Sequence, residues 1–234
     1  MKGTSIPPGD FIFVLDFGSQ YTQLIARKIR ELGVYSEIKS YRTPVAELVR
    51  ERPRGIILSG GPNSVYEVAA PRIDREIFDL GIPILGICYG QQLMAHLLGG
   101  QVVAAAQREY GRAKLIIDTP NDFLNDVSNG TTVWMSHGDF VEIPPPDFVS
   151  LAKTENAPFA VIAHVQKKLF GVQFHPEVAH TVEGTTMLRN FIFDVCGCTA
   201  SWTPENFIDI ATEKIRQQVG NAHVVCGLSG GVDS

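Results

Sequence analysis

Hydrophobic positions along this chain switch between two periods, and the switching predicts the architecture. Residues 11–15 are continuously apolar, the pattern of a strand covered on both faces. A turn at Asp16-Phe17-Gly18 follows. Tyr21, Leu24, Ile25, Ile29 and Leu32 then recur at helical spacing, up to a glycine stop at Gly33. The alternation continues with a strand over 36–40, a helix over 45–50, a strand over 55–58 and a helix over 73–80. A buried strand over 83–87 leads directly into a helix over 91–98, which Gly99-Gly100 ends. Strands alternating with helices predict an α/β fold, an open and mostly parallel sheet flanked by helices. Between 101 and 173 the pattern changes. Residues 114–118, 132–135, 159–164 and 169–174 read as strands joined by turns, which predicts an antiparallel extension of the sheet. Residues 183–196 return to helix.

A boundary is expected near residue 200. Residues 1–10 read as an N-terminal extension, 11–200 as the main domain and 201–234 as the start of a second one. Thr203-Pro204-Glu205 opens a helix, with Thr as N-cap and Pro at the first helical position. Its apolar residues Phe207, Ala211, Ile215 and Val219 run to Gly220. Residues 223–226 read as a new strand, and Ser229-Gly230-Gly231-Val232-Asp233-Ser234 as a glycine-rich loop. A phosphate loop belongs between a strand and a helix, so the chain reads as stopping just inside the second domain.

Composition narrows the function classes. With 20 Lys and Arg against 25 Asp and Glu, the net charge of −5 argues against sequence-independent nucleic-acid binding, which needs clustered positive charge. Four cysteines in 234 residues are too few for a disulfide scaffold. Cys196 and Cys198 stand two apart with no second Cys or His pair at zinc-site spacing, so no metal is expected. The first ten residues lack an apolar signal core, and no apolar run is long enough for a membrane span. The expectation is a reduced, cytoplasmic protein that uses neither membrane nor nucleic acid.

Gly86-Ile87-Cys88-Tyr89-Gly90 has the form of a nucleophile elbow with Cys in place of Ser. A nucleophile on a sharp strand-to-helix turn needs small neighbours, and the following helix aims its N-terminus at the sulfur, favouring thiolate. Gln173-Phe174-His175-Pro176-Glu177 adds a candidate base and carboxylate. Residues two apart in extended chain share a face, and Pro176 predicts that the strand ends there. A base oriented by a carboxylate is what a thiol nucleophile requires. Ser59-Gly60-Gly61-Pro62 ends a buried strand, where two glycines let backbone N–H groups approach a ligand. Gly61 and Tyr89 are thus the candidate oxyanion donors.

In this order Cys88, His175-Pro176-Glu177 and Ser59-Gly60-Gly61-Pro62 resemble the class I, triad-type glutamine amidotransferases. More narrowly, Asp16-Phe17-Gly18-Ser19-Gln20-Tyr21-Thr22-Gln23, Trp134-Met135-Ser136-His137-Gly138-Asp139 and His175-Pro176-Glu177-Val178 with His180-Thr181 resemble the GMP synthase family. The terminal loop is similar to the one that opens that family's ATP pyrophosphatase domain. The resemblance implies that Cys88 attacks the side-chain amide of L-glutamine, that His175 protonates the departing ammonia and then activates water, and that Glu177 holds the imidazole. It implies that Gln92, Ser136, His137, Gly138 and Asp139 bind the amino acid, with His137 a loop residue of the pocket wall and not the base. The glutaminase part would need no cofactor. The whole enzyme would use ATP and Mg2+ at a synthetase domain to aminate xanthosine monophosphate to GMP, in purine biosynthesis, and would form a homodimer through its C-terminal region. Residues 109–111 and His180-Thr181 would face the synthetase domain. His96, His164 and His223 take no role.

Three other readings compete. A thiol hydrolase of γ-glutamyl peptides would share the elbow and triad but has no reason to carry a phosphate loop. A non-catalytic binding module has no need of an intact Cys, His and Glu together. A nucleotide-binding protein built on residues 229–234 would lack the helix that closes such a site.

Overall fold

The computed structural model describes residues 10–225 and Gly227. The first half follows the predicted alternation: β1 (Phe11–Asp16), α1 (Thr22–Glu31), β2 (Tyr35–Ser40), α2 (Val45–Glu51), β3 (Gly55–Leu58), β4 (Ile84–Ile87) and α3 (Tyr89–Leu97). The helix expected over 73–80 shrinks to one 3-10 turn, Arg75–Asp79. Asp74 is extended and caps it by accepting from Glu76 N at 3.0 Å, and Gly81 leaves it at positive φ, so too few residues remain for an α-helix.

The second half brings β5 (Gln101–Lys114), β6 (Ile116–Ile117), β7 (Thr132–Ile143), β8 (Val149–Lys153), β9 (Val161–His164) and β10 (Leu169–Val172). α4 (Gly184–Asn190) then runs into a π-helical turn, Phe191–Val195, and α5 (Pro204–Val219) follows. Two strands lie outside the sequence expectation: most of β5, and β8. Residues 223–225, expected to begin a strand, carry no strand pairing. Cys226, the loop Ser229 to Ser234 and residues 1–9 of the N-terminal extension lie outside the described residues.

Eight strands form one sheet in the order β2-β1-β3-β4-β10-β9-β8-β6. The pairs β1–β2, β1–β3, β3–β4 and β4–β10 are parallel, and the antiparallel extension consists of β9, β8 and β6. β5 and β7 make a separate two-stranded antiparallel ribbon. Strands β1, β3, β4 and β10 are buried on both faces, which explains their unbroken apolar runs. One core layer, with Ile12, Ile57, Leu85 and Val172, lies against Ile25, Ile29, Met187 and Leu188 of α1 and α4. The other, with Phe13, Leu15, Leu58 and Ile84, lies against Leu48 of α2 and Leu93 and Met94 of α3. Among the described residues no helix is long and apolar enough to cross a membrane.

β1 pairs with β2 on one side and β3 on the other, so the strand order reverses at β1. In open α/β sheets a crevice forms beyond the carboxyl ends of the strands at such a point. Here α3 lies close over β3, because a Cβ on Gly90 would stand 2.8 Å from Leu58 Cβ and closer still to the Leu58 carbonyl oxygen. Gly90→Ala should therefore destabilise the domain by roughly 1–3 kcal/mol through overpacking. Urea unfolding checks this, and a midpoint equal to that of the wild type would contradict it.

Candidate active site

The segments after β1, β3 and β4 and the middle of β7 enclose a cavity of about 720 Å³. It is lined by Gly18 to Tyr21, Gly61 to Ser64, Tyr66, Cys88, Gln92, Ala104, Ala105, Tyr110, Ser136 to Asp139 and His175. Among the described residues one carboxylate, Asp139, lines it, and no Lys or Arg does.

Cys88 sits where β4 gives way to α3. Its backbone has φ 52° and ψ −105°, a region that L-residues rarely occupy. The Cys88 N–H donates to Val172 O at 2.7 Å, fastening the turn to the last residue of β10. Residues 173–177 leave that strand and bring His175 back over Cys88. The backbone of this turn is also tied down: His175 N donates to Trp134 O at 3.1 Å, and Thr181 Oγ1 donates to His175 O at 2.6 Å. His175 and Glu177 meet in a turn and not along extended chain. Their side chains still converge, with His175 Nδ1 2.8 Å from Glu177 Oε1 and both residues almost fully buried. The ring edge of Tyr21 packs against His175, the centroids 5.1 Å apart.

Burial alone would lower the His175 pKa. Hydrogen bonding to Cys88 and Glu177, and their charges, outweigh it and push the imidazole up to about 10. Burial pushes the Cys196 thiol well above its ordinary range and the Cys198 thiol up to about 12.

Gly61 lines the cavity, and a Cβ there would lie 2.7 Å from Phe17 O and 3.3 Å from the Tyr89 ring. The backbone must be bare at this point for the β1 and β3 segments to close together. Gln92, on the first turn of α3, donates its Nε2 to Asp139 O at 2.7 Å and to Gln173 Oε1 at 3.3 Å. Gln173 Nε2 in turn stands 3.8 Å from Cys88 Sγ. Ser136, His137, Gly138 and Asp139 lie on strand β7, so His137 is a strand residue and not the loop residue expected from sequence. His137 and Asp139 are buried, and Ser136 O lies 3.8 Å from Cys88 Sγ. Two contributors had no place in the sequence reading. Gln173 opens the segment that carries His175 and Glu177 but has no role in the sequence reading, because its approach to Cys88 depends on where that segment leaves β10. Tyr66 carried no signal. Its hydroxyl donates to Asp139 Oδ1 at 3.0 Å across 73 residues of chain.

The chain is similar to known proteins over most of its length. A model of the class-I glutamine amidotransferase family matches residues 13–195. A GMP synthase [glutamine-hydrolyzing] from Rippkaea orientalis is 57% identical over 95% of this chain, a match that spans 41% of that protein. One from Gloeobacter violaceus is 54% identical over the whole chain, spanning 43% of its own length. The chain thus spans less than half the length of these curated relatives. Among solved structures, a putative GMP synthase subunit from Thermoplasma acidophilum superposes with a TM-score of 0.71 at 30% identity, over 81% of this chain and 94% of that one. A glutamine amidotransferase from Thermotoga maritima shares the fold at 19% identity, with a TM-score of 0.57 over 90% of this chain and 93% of that one.

A raised imidazole pKa makes stability depend on pH. The stabilisation is fully present below the ordinary value of 6.5 and is lost as pH rises through about 10. Glu177→Gln removes one source of it. The gap in urea midpoint between the wild type and this variant should be widest near pH 6 and narrow by about pH 11. A gap that stays constant across that range would contradict the assignment.

Proposed function

This chain belongs to the class-I glutamine amidotransferase family, and we propose that it hydrolyses L-glutamine to glutamate and ammonia through Cys88, His175 and Glu177. The observation that carries the proposal is the convergence of Cys88, on its strained turn, with a buried His175 whose far nitrogen is held by Glu177. Cys88 attacks the side-chain amide carbon as thiolate. Its partner, the protonated His175, gives its proton to the departing ammonia. The neutral imidazole then takes a proton from water, which cleaves the glutamyl thioester and releases glutamate. Glu177 keeps the ring oriented and stabilises its cationic form. The backbone N–H groups of Gly61 and Tyr89 hold the oxyanion, a contribution of roughly 3–4 kcal/mol per donor in comparable enzymes. Gln92 and the strand Ser136 to Asp139 hold the amino-acid end of the substrate.

The use of the ammonia belongs to the same proposal. The relatives' name, GMP synthase [glutamine-hydrolyzing], supports use of the ammonia in making GMP; in this reading an ATP- and Mg2+-dependent synthetase part would aminate xanthosine monophosphate. Residues 201–234 would form the start of that part, and the whole enzyme would dimerise through it. The terminal loop, Ser229, Gly230, Gly231, Val232, Asp233 and Ser234, would serve its ATP site.

Incubation with an electrophilic glutamine analogue should modify Cys88 and spare Cys196, Cys198 and Cys226, as peptide mass mapping would report. Modification spread over all four, or none at Cys88, contradicts the proposal. Cys88→Ala and Cys88→Ser should both lack glutaminase activity. His175→Ala should reduce turnover by roughly 10²–10⁴-fold, and Glu177→Ala should cost less, because an orienting group is less indispensable than a proton donor. A larger loss at Glu177 would reverse the assigned roles. Supplying a relative's synthetase part with ATP, Mg2+ and xanthosine monophosphate should yield GMP from glutamine only while Cys88 is intact.

A further inference from the structure

The segment between β3 and the 3-10 turn lines one wall of the cavity with residues 61–64 and Tyr66, as a strap with two fastenings. At one end the Tyr89 hydroxyl, from the residue after Cys88, donates to Pro71 O. In the middle the Tyr66 hydroxyl donates to Asp139 Oδ1 at 3.0 Å. Just before Tyr66, Val65 is fully buried, and Asn63 Nδ2 donates to Glu67 Oε2 at 3.1 Å, so the strap is folded on itself and anchored. Asp139, at its far side, is fixed twice. Gln92 holds its backbone carbonyl and Tyr66 holds one carboxylate oxygen.

Asp139 is 8% exposed as a residue, and no Lys or Arg pairs with its carboxylate among the described residues. A buried carboxylate whose partner among the described residues is one neutral donor is left short of positive charge there. Because it is the one carboxylate lining the cavity among the described residues, it is the natural complement of a ligand's ammonium group. Tyr66 occupies Oδ1 and leaves Oδ2 for that ammonium.

We propose that Tyr66 is a positioning residue that sets specificity for a free α-amino group: it holds the Asp139 carboxylate toward the α-ammonium of the bound amino acid and closes the strap behind it. This rests on the glutaminase reading of the cavity. The site would then take free glutamine and reject amides that lack the α-amino group or carry it acylated. Losing the Tyr66 hydroxyl frees the carboxylate to rotate, which weakens binding of the ammonium and leaves the amide end untouched.

The test is calorimetric titration of the Cys88→Ala protein, with and without Tyr66→Phe, using L-glutamine and glutaramate, which lacks the α-amino group. Tyr66→Phe should weaken L-glutamine binding about ten-fold, the scale of one hydrogen bond to a charged group. It should leave the weaker glutaramate binding unchanged, so discrimination between the two ligands falls by the same factor. A strap that matters only for folding would weaken both ligands alike, and that outcome overturns the proposal, as does undiminished L-glutamine affinity. Failure of Cys88→Ala itself to bind L-glutamine would instead overturn the glutaminase reading and this proposal with it. Wild-type and Tyr66→Phe turnover gives the second readout: KM for glutamine should rise about ten-fold, with kcat much less affected. A fall in kcat at constant KM would contradict the role.

Discussion

At Cys88 the chain must leave strand β4 and enter helix α3 within one residue, and it does so at φ 52° and ψ −105°. A side chain there costs of order 1–3 kcal/mol in backbone strain, which the surroundings have to hold in place. The hydrogen bond from Cys88 N to Val172 O supplies part of the hold, and the close seat of α3 on Leu58 supplies another. Much of the site follows from this turn. It points the sulfur out of the sheet at the carboxyl ends of the strands. It starts α3 where Gln92 reaches Asp139. Through Val172 it also fixes the distance to the segment that brings His175 back.

The parallel half of the fold was legible because strands covered on both faces must be apolar throughout, and helices between them must carry an apolar stripe. Residues 11–15, 55–58 and 83–87 leave little choice. The β5–β7 ribbon was harder to see. β7 alternates in burial along its length, but its inward positions include His137 and Asp139, so the apolar period is broken where the cavity lies. The signal for a strand disappears at the point where the strand serves the site. Residues 73–80 failed for the opposite reason. Apolar spacing suggested a helix, but an extended Asp74 and a left-handed Gly81 left room for a single turn.

Within the site, local spacing revealed what local chemistry arranges. Gly86 to Gly90 and residues 173–177 are short segments that carry their reactive residues close together in sequence, although His175 and Glu177 meet in a turn where extended chain was expected. The bond from Tyr66 to Asp139 depends on the path of a loop and on the register of a distant strand, and neither can be read from residues near Tyr66. Among the described residues no lysine or arginine lines the cavity, whose ionisable lining apart from tyrosines is Cys88, His137, Asp139 and His175, with Glu177 behind His175.

The central claim is that Cys88 and Glu177 together hold a buried His175 as imidazolium, against a burial effect that would favour the neutral ring. NMR titration of the His175 ring in isotope-labelled protein tests it directly, with the resonance assigned by its absence in His175→Gln. In the wild type the ring should titrate near 10, and in Cys88→Ala its midpoint should move down. A wild-type midpoint at the ordinary 6.5, or the same raised value with and without Cys88, would contradict the account.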